Sequence, residues 1–503
     1  MENLTLSGHD LNAEALEHVA LGHPKITLSD AGLARMTDSR GLVDKAIADG
    51  IAVYGVTTGL GSRSGDALEA VALSAFSYQT LQGRAQDIGP PMPPHFVRAA
   101  MIVRLNTLLL GHSGARPEVA HHIREVLQAG LVPMVGSVGS IGAGDLVLNA
   151  AIGRCLMGEG QMQALDGVGP SDDKMRAAGI AALDPAPRDG LALANHTGVS
   201  TAGAALKLAK ATRLYEATQA AAGLSLEAFR ANLGPIEPRV LAVKPLPGQD
   251  AAAKQLRALL DGSALWHPGA ARRLQDPLSF RNVVQIHGGL DTALRNLRTI
   301  VDIELNGSSD NPVALVETDE ILSCGGYHTT ELALAVEGVC RAWQHVAMAQ
   351  VARIARLMEP DLPDLPLFLA RQESGSNGFA PLLKVVEDLA ADITRAAQPT
   401  PVWPSINARG IEDALTAAPS AIRALAQIMG HAARLTAIEL TIAAQGIDLR
   451  KDLLTLGPAM QRWHARTRAR VAGLDHDRPM GAEIEALAQD LLVYRDDKSA
   501  GLP

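Results

Sequence analysis

"VSTAGAALKLAKATRLYEATQAAAGLSLEAFRANLG" (199–234) is the stretch that decides the fold class. It is an uninterrupted Ala/Leu-rich run without proline, several helical turns long, and these residue types have the highest helix propensities. "PSAIRALAQIMGHAARLTAIELTIAAQGIDL" (419–449) repeats the pattern near the other end of the chain. Lengths of this kind suit a helical bundle. Composition agrees: 47 % of the residues are hydrophobic but only 3 % are aromatic, which favours closely packed helices over sheet. The 503 residues can bury the core of one very large domain or of two to three ordinary ones. The expected class is mainly α.

Working outward, the first 65 residues read as short elements. "LTLSGHDL" has the pattern of a hairpin edge, "LNAEALEHVAL" of a short helix, and "IAVYGVTTGLGS" of a strand entering a Gly/Thr loop. Residues 66–131 are helical by pattern, with "HFVRAAMIVRLNTLLLGHSG" an apolar stripe stopped by glycine. The glycine-rich "VGSVGSIGAGDLVLNAA" (135–151) follows. Within the helical part, polar clusters interrupt at 273–288 and 304–328, and the Pro-rich 398–413 suits a fixed turn. No internal repeat or low-complexity segment is present. Loops carrying clustered Asn, Asp, Arg, Gln and Tyr on a bundle are the pattern of an enzyme.

The formal charge of −9 and the absence of a basic stripe argue against a nucleic-acid partner. Three scattered cysteines, Cys155, Cys324 and Cys340, are too few for a disulfide framework or a clustered metal site and fit a reducing cytoplasm. The N-terminal stretch lacks the basic flank and apolar core of a signal peptide. No run of roughly 18 apolar residues free of Gly, Pro and charge is present, so no membrane span is expected. His196, His287 and His328 lie near polar segments without HxxxH or HxH spacing, so no metal site is expected. "GSVGSIGAGD" lacks the Lys-Ser/Thr ending of a phosphate loop and the acidic residue of a dinucleotide fold.

Taken singly, the polar motifs are ambiguous. Tyr54 in "YGVTTGLG" (54–61) suits a general base on a mobile loop, and equally a half-buried strand tyrosine. Arg281, six residues after Gln275 in "QDPLSFR", has the planar fork that grips a carboxylate, although most arginines form surface ion pairs. "ELNGSSDNP" (304–312), "LANHTG" (193–198) and "GGYHTTE" (325–331) are each explained by capping and turn chemistry.

Their order changes the reading. "YGVTTGLG", "RLNTLLLGHSG", "GSIGAGDL" (139–146), "GLALANHT" (190–197), "QDPLSFR", "ELNGSSDNP", "GGYH" and "PSINARGIED" (404–413) together resemble, in order, the aromatic amino acid ammonia-lyase family: histidine, phenylalanine and tyrosine ammonia-lyases and related aminomutases. The resemblance runs from about residue 50 to about residue 415. It implies an N-terminal mixed α/β-loop domain (1–197) carrying the tyrosine and cofactor loops, a helical-bundle domain (198–503), and a homotetramer with sites built from several subunits. It also implies a small amino-acid-like substrate.

In that family an Ala-Ser-Gly triad cyclises and loses two waters to form a methylidene-imidazolone (MIO), the electrophile that makes the amine a good leaving group. Here Gly142, Ala143, Gly144 and Asp145 match the pattern on both sides of a missing serine. The methylidene carbon is the dehydrated Cβ of that serine, and neither Ala143 nor Gly144 has a hydroxyl to lose. Ser137 and Ser140 precede Val138 and Ile141 rather than glycine. No cofactor is therefore expected. By resemblance, Tyr54 is the base, Asn195 the asparagine beside the cofactor, and Glu412 the acidic residue that histidine lyases place near the ammonia or imidazole end. Gln275 and Arg281 orient the amino acid, with Arg281 on its carboxylate, and Tyr327 stands where phenylalanine is common. Arg84, in "LQGRAQDIG", replaces the ring-selecting histidine, and Leu278 replaces a second tyrosine.

Three functions follow as alternatives. The first is β-elimination of ammonia or another leaving group with Tyr54 as base and without MIO. The second is a different reaction, such as cyclisation, hydration or transfer, on the same scaffold. The third is a catalytically silent ligand-binding homologue. Retention of Tyr54, Asn195, Arg281 and Glu412 favours an enzyme, a carbon–nitrogen lyase.

Overall fold

The computed structural model describes residues 3–359, 362, 364–370, 375–405, 407–450 and 455–493. Helices dominate, as the Ala/Leu runs predict: the 199–234 run is the helix Gly198–Phe229, and the 419–449 run is the helix Ala418–Leu449. Val283–Asn306 and Thr330–Leu357 are of similar length. No described helix is long and apolar enough to cross a membrane.

Two compact units are present. The first comprises Met1–Ala209, Arg298–Val336 and Thr400–Ile422; the second comprises Lys210–Leu297, Glu337–Pro399 and Arg423–Pro503. The first unit thus gathers three stretches of chain, and residues hundreds of positions apart in sequence become neighbours in it.

Around the core of the first unit lie short strands in small sheets. Asn3–Leu6 pairs parallel with Lys25–Leu28, Leu4 opposite Ile26, so the N-terminal strand is not a hairpin edge. A parallel pair needs a crossover, and the helix Ala13–Gly22 supplies it. The helix Pro94–Leu108 is buried at every position from Val97 to Leu108, which is why apolar residues occupy most of its circumference. Its two arginines have partners inside the protein. Arg98 donates to Leu127 O at 2.7 Å, and Arg104 makes a bidentate pair with Asp310 at 3.0 and 2.8 Å. Burial alone would raise the Asp310 pKa, but Arg104 and Arg188 hold it below the ordinary carboxylate value. This buried cluster fixes the segment that carries Asn311.

The second unit is helical among its described residues. At its centre Glu439 accepts from Arg353 at 2.6 and 3.1 Å, from Ser225 at 2.8 Å and from Gln350 at 3.0 Å. Such multiple hydrogen bonding offsets the desolvation of a fully buried ion pair. The interruption expected over 273–288 is shorter than its polar content suggests: Leu278–Arg281 is already helical, and after Asn282 the long helix begins at Val283.

Candidate active site

The stretch expected to be a strand leading into the tyrosine loop is a turn. Val53 O accepts the N–H groups of Val56, Thr57 and Thr58 at 3.0–3.2 Å. The Thr57 hydroxyl closes the turn, donating to Ile51 O at 2.7 Å and accepting from Val53 N at 2.8 Å. The local side-chain bonds of threonine outcompete a strand ladder here. Gly61 N–H donates to the Tyr54 hydroxyl oxygen at 3.1 Å, which fixes the phenol against its own loop.

Asn195 ends the helix Asp189–Ala194. A Cβ at Gly190 would strike the backbone of Ser77; its absence lets this helix lie against Leu73–Arg84, and Gly190 N–H donates to Ser77 Oγ at 2.7 Å. Leu191 and Asn195 thereby share a cavity with Arg84.

Between them runs the glycine loop. Asp145 adopts a left-handed conformation (φ 45°) at the start of the helix Leu146–Leu156, a conformation aspartate tolerates. Its buried carboxylate accepts from Ser140 Oγ at 2.5 Å and from Ser200 N and Oγ at 2.7 Å each. The loop is thus tied to the N-terminal turn of Gly198–Phe229, where a carboxylate also meets the positive end of the helix dipole. Burial raises the Asp145 pKa against the pull of these hydrogen bonds.

Backbone bonds join the loop to the later segments. Gly144 N–H donates to Tyr327 O at 3.0 Å. Gly142 O accepts from Thr329 Oγ1 at 2.7 Å and from Thr416 Oγ1 at 3.2 Å. Ile141 O accepts the N–H groups of Thr416 and Ala417 at 3.1 Å. Through these contacts Tyr327 and Glu412 arrive at the same place as Tyr54 and Asn195.

The result is a cavity of about 280 Å³ lined by Tyr54, Arg84, Asn195, Asn311, Tyr327 and Glu412, with Ala143, Leu60, Leu146, Leu191 and Ile411 among the apolar wall residues. Its size suits a small amino-acid-like molecule. Burial lowers the Arg84 pKa, while the charges of Tyr54 and Glu412 oppose that effect; the guanidinium remains a cation. Burial, reinforced by Tyr54, Cys324 and Glu412, raises the Tyr327 pKa, so this phenol keeps its proton and is a hydrogen-bond donor at neutral pH.

Tyr54, Arg84, Asn195, Tyr327 and Glu412 are therefore brought together, with Ala143 in the wall and Gly142, Gly144 and Asp145 behind it. Gln275, Leu278 and Arg281 are not part of this lining. They belong to the second unit, where Arg281 is hydrogen-bonded to the Gln275 side chain and Leu278 is 59 % exposed.

Several supporting residues escape a reading of sequence. Asn149 donates to the carbonyls of Gly144, His196 and Ala194 at 3.1, 2.6 and 3.3 Å; an asparagine inside an apolar helical run was its only signal. Thr329 and Thr416 are 187 and 274 residues from Gly142, and nothing local marks either. His196 is structural: Nδ1 accepts from Gly198 N–H at 3.1 Å and Nε2 lies 3.2 Å from Leu193 O. Burial and the charge of Arg104 hold it neutral, its pKa well below the ordinary value. No group of three or more His, Cys, Asp or Glu residues able to hold a metal occurs among the described residues.

The loop does not fit an MIO. Neither Ala143 nor Gly144 carries the hydroxyl that MIO formation removes, and any Cβ at Gly144 would overlap Asn195 Oδ1. The Gly144 nitrogen, the group that would close the ring, is held by Tyr327 O. Ser140, the nearest hydroxyl, is bound to Asp145.

A tyrosine loop, an asparagine and a carboxylate thus stand around one glycine turn in a helical fold. The aromatic amino acid lyase family model matches residues 11–469. Histidine ammonia-lyase of Anaeromyxobacter sp. (strain K) is 33 % identical over 499 residues, covering 97 % of this chain and 98 % of the relative. The chain belongs to the aromatic amino acid lyase family. Among solved structures it is similar to the ergothioneine-degrading enzyme ergothionase of Treponema denticola, in complex with desmethyl-ergothioneine sulfonic acid. That likeness has a TM-score of 0.92 at 27 % identity over 97 % of this chain and 98 % of that one. Histidine ammonia-lyase of Trypanosoma cruzi has a TM-score of 0.89 at 26 % identity, covering 97 % and 93 %.

Proposed function

We propose that this lyase performs β-elimination on an amino-acid-like substrate without an MIO, with Tyr54 as the base. The observation that carries the proposal is the convergence of Tyr54, Asn195 and Glu412 on a turn, Ala143–Gly144, that has no hydroxyl to dehydrate. Tyr54, as phenolate, takes the proton from the β carbon. The C–H electron pair becomes the new double bond, and the C–N pair leaves with the nitrogen. The Gly61 N–H already aimed at the Tyr54 oxygen is a donor for the negative charge that oxygen carries as a base. The Glu412 carboxylate accepts no side-chain hydrogen bond within the described residues and is free to face a cationic nitrogen.

Without an electrophile to activate the amine, the nitrogen has to be a good leaving group already. A quaternary ammonium meets that requirement, because it departs as a neutral tertiary amine and needs no proton. The likeness to an ergothioneine-degrading enzyme supports this reading, since ergothioneine is a betaine of a thioimidazole amino acid. Part of this proposal is a homotetramer in which a second copy of the chain supplies the carboxylate grip through Arg281 and Gln275.

A second reading, ammonia release from histidine, is favoured by the identity to histidine ammonia-lyases. The test is a time course of amine release from ergothioneine and from histidine by wild type and Tyr54→Phe. Release of a tertiary amine that Tyr54→Phe abolishes supports the proposal. Ammonia release from histidine at an equal or higher rate overturns it.

A further inference from the structure

The segment that carries Gln275 and Arg281 has an outer and an inner side. Gln275 and Leu278 are exposed and Arg281 is half-buried, whereas Asp276, Ser279 and Phe280 are buried. The chain makes a helical turn here, with Pro277 O accepting the N–H groups of Phe280 and Arg281 at 3.0 Å each, and Arg281 is hydrogen-bonded to the Gln275 side chain. Other parts of the second unit hold the inner side. Asn232 N–H donates to Asp276 Oδ2 at 2.6 Å, and Asn232 Nδ2 to Leu274 O at 2.9 Å. The Phe280 ring stacks on Phe229 with centroids 4.2 Å apart. Finally, Arg353 Nη1 donates to Ser279 O at 3.2 Å.

This last contact comes from a guanidinium that has no freedom of its own. Arg353 is fully buried, and its Nε and Nη2 donate to the two oxygens of Glu439 at 2.6 and 3.1 Å. Glu439 accepts in addition from Ser225 Oγ at 2.8 Å and from Gln350 Nε2 at 3.0 Å. The bidentate pair sets the plane of the fork, so the remaining Nη1 sets the position of the carbonyl that precedes Phe280 and Arg281. A fully buried ion pair adds little net stability over well-packed apolar side chains. What it adds is a fixed geometry, and a displacement of about 1 Å in a gripping group costs on the order of 100-fold.

We propose that Arg353, anchored on Glu439, is a positioning residue: by holding Ser279 O it sets the place from which Arg281 and Gln275 grip the substrate carboxylate. This rests on the role given to Arg281 and Gln275 under the proposed function. Arg353 touches no substrate and acts only through the turn it holds. Its loss therefore weakens recognition of the carboxylate and leaves recognition of the rest of the ligand as it was.

The experiment is isothermal titration of the full-length protein with two unreactive probes that differ only at the carboxyl group, 3-(imidazol-4-yl)propanoate and its amide, with a melting curve for each variant. Neither probe has an α nitrogen to eliminate. Wild type is expected to bind the carboxylate about 10- to 100-fold more tightly than the amide. Arg281→Met should reduce that preference to about threefold or less. The double variant Arg353→Met/Glu439→Gln, which leaves no orphaned charge in the core, should lose the preference to the same extent while melting close to wild type, and adding Arg281→Met to it should cost nothing more. Arg353→Lys keeps the charge beside Glu439 but lacks the planar fork that reaches Ser279 O as well, so it should lose most of the preference too; it gives the same reading where the double variant fails to fold. A full preference in either Arg353 variant, with Arg281→Met having lost it, overturns the proposal and leaves the carboxylate grip standing. A wild type that binds both probes equally, or a preference that survives Arg281→Met, overturns the grip itself and the proposal with it.

Discussion

In the proposed elimination Tyr54 is the base, and its surroundings make a specific prediction. Only the hydroxyl is lost in Tyr54→Phe, leaving the ring to pack as before. Turnover should fall by about 10²- to 10⁴-fold, the ordinary worth of a positioned base, while the affinity for an unreactive analogue changes by no more than a few-fold; steady-state kinetics and titration together check this. Asp145 makes a different prediction, one about stability. Its carboxylate accepts from two hydroxyls and one backbone N–H in a buried setting. Asp145→Asn places an amide donor where donors already point, and should cost about 2–3 kcal/mol, seen as a lowered melting temperature before any catalytic effect is measured.

At the scale of elements, legibility in the sequence divided along a physical line. The long helices were plain from Ala/Leu runs, because helix periodicity and propensity are local properties. Tyr54, Asn195, Tyr327 and Glu412 were legible through their motifs, and the structure gathers them. The turn at 51–58 was not, because the choice between strand and turn is made by the Thr57 hydroxyl bonding its own backbone. Nor was the network around Gly142, whose partners come from chain segments that return to the first unit much later. That network gives the loop its fixed shape, and Gly144 leaves no room in it for a side chain. Gly144→Ala forces a Cβ onto Asn195 at φ +74°, so both Asn195 and the loop have to move. Activity should fall at least tenfold even where circular dichroism shows the helical content unchanged.

At the scale of the whole molecule, the second unit carries a pH dependence of its own. Burial pushes the Glu227 carboxyl up to about 7 from an ordinary 4.5, against the opposing pull of Ser263 and Arg450. Between these values the unfolded chain gives up the proton and the folded chain keeps it, so stability falls as pH rises from about 4.5 to 7. The difference corresponds to about 3 kcal/mol once the pH exceeds 7. Glu227→Gln should therefore melt higher than wild type at pH 8 and equal to it near pH 4; scanning calorimetry across that range reads the crossover.

Assembly makes the second prediction at this scale. In the proposed assembly, where Tyr54 comes from one copy and Arg281 from another, Tyr54→Phe and Arg281→Met should each be inactive alone and regain measurable activity when refolded or co-expressed together. Mixed assemblies that stay inactive would return Arg281 to a purely structural role.

The central claim, elimination without a self-made electrophile, is tested most directly by the intact mass of the purified, catalytically active chain. The account predicts a mass equal to that of the encoded sequence. A mass lower by two waters would contradict it: the loop at 142–145 would then cyclise by a route that needs no serine between Ala143 and Gly144, and ammonia elimination from an ordinary amino acid would become the better reading.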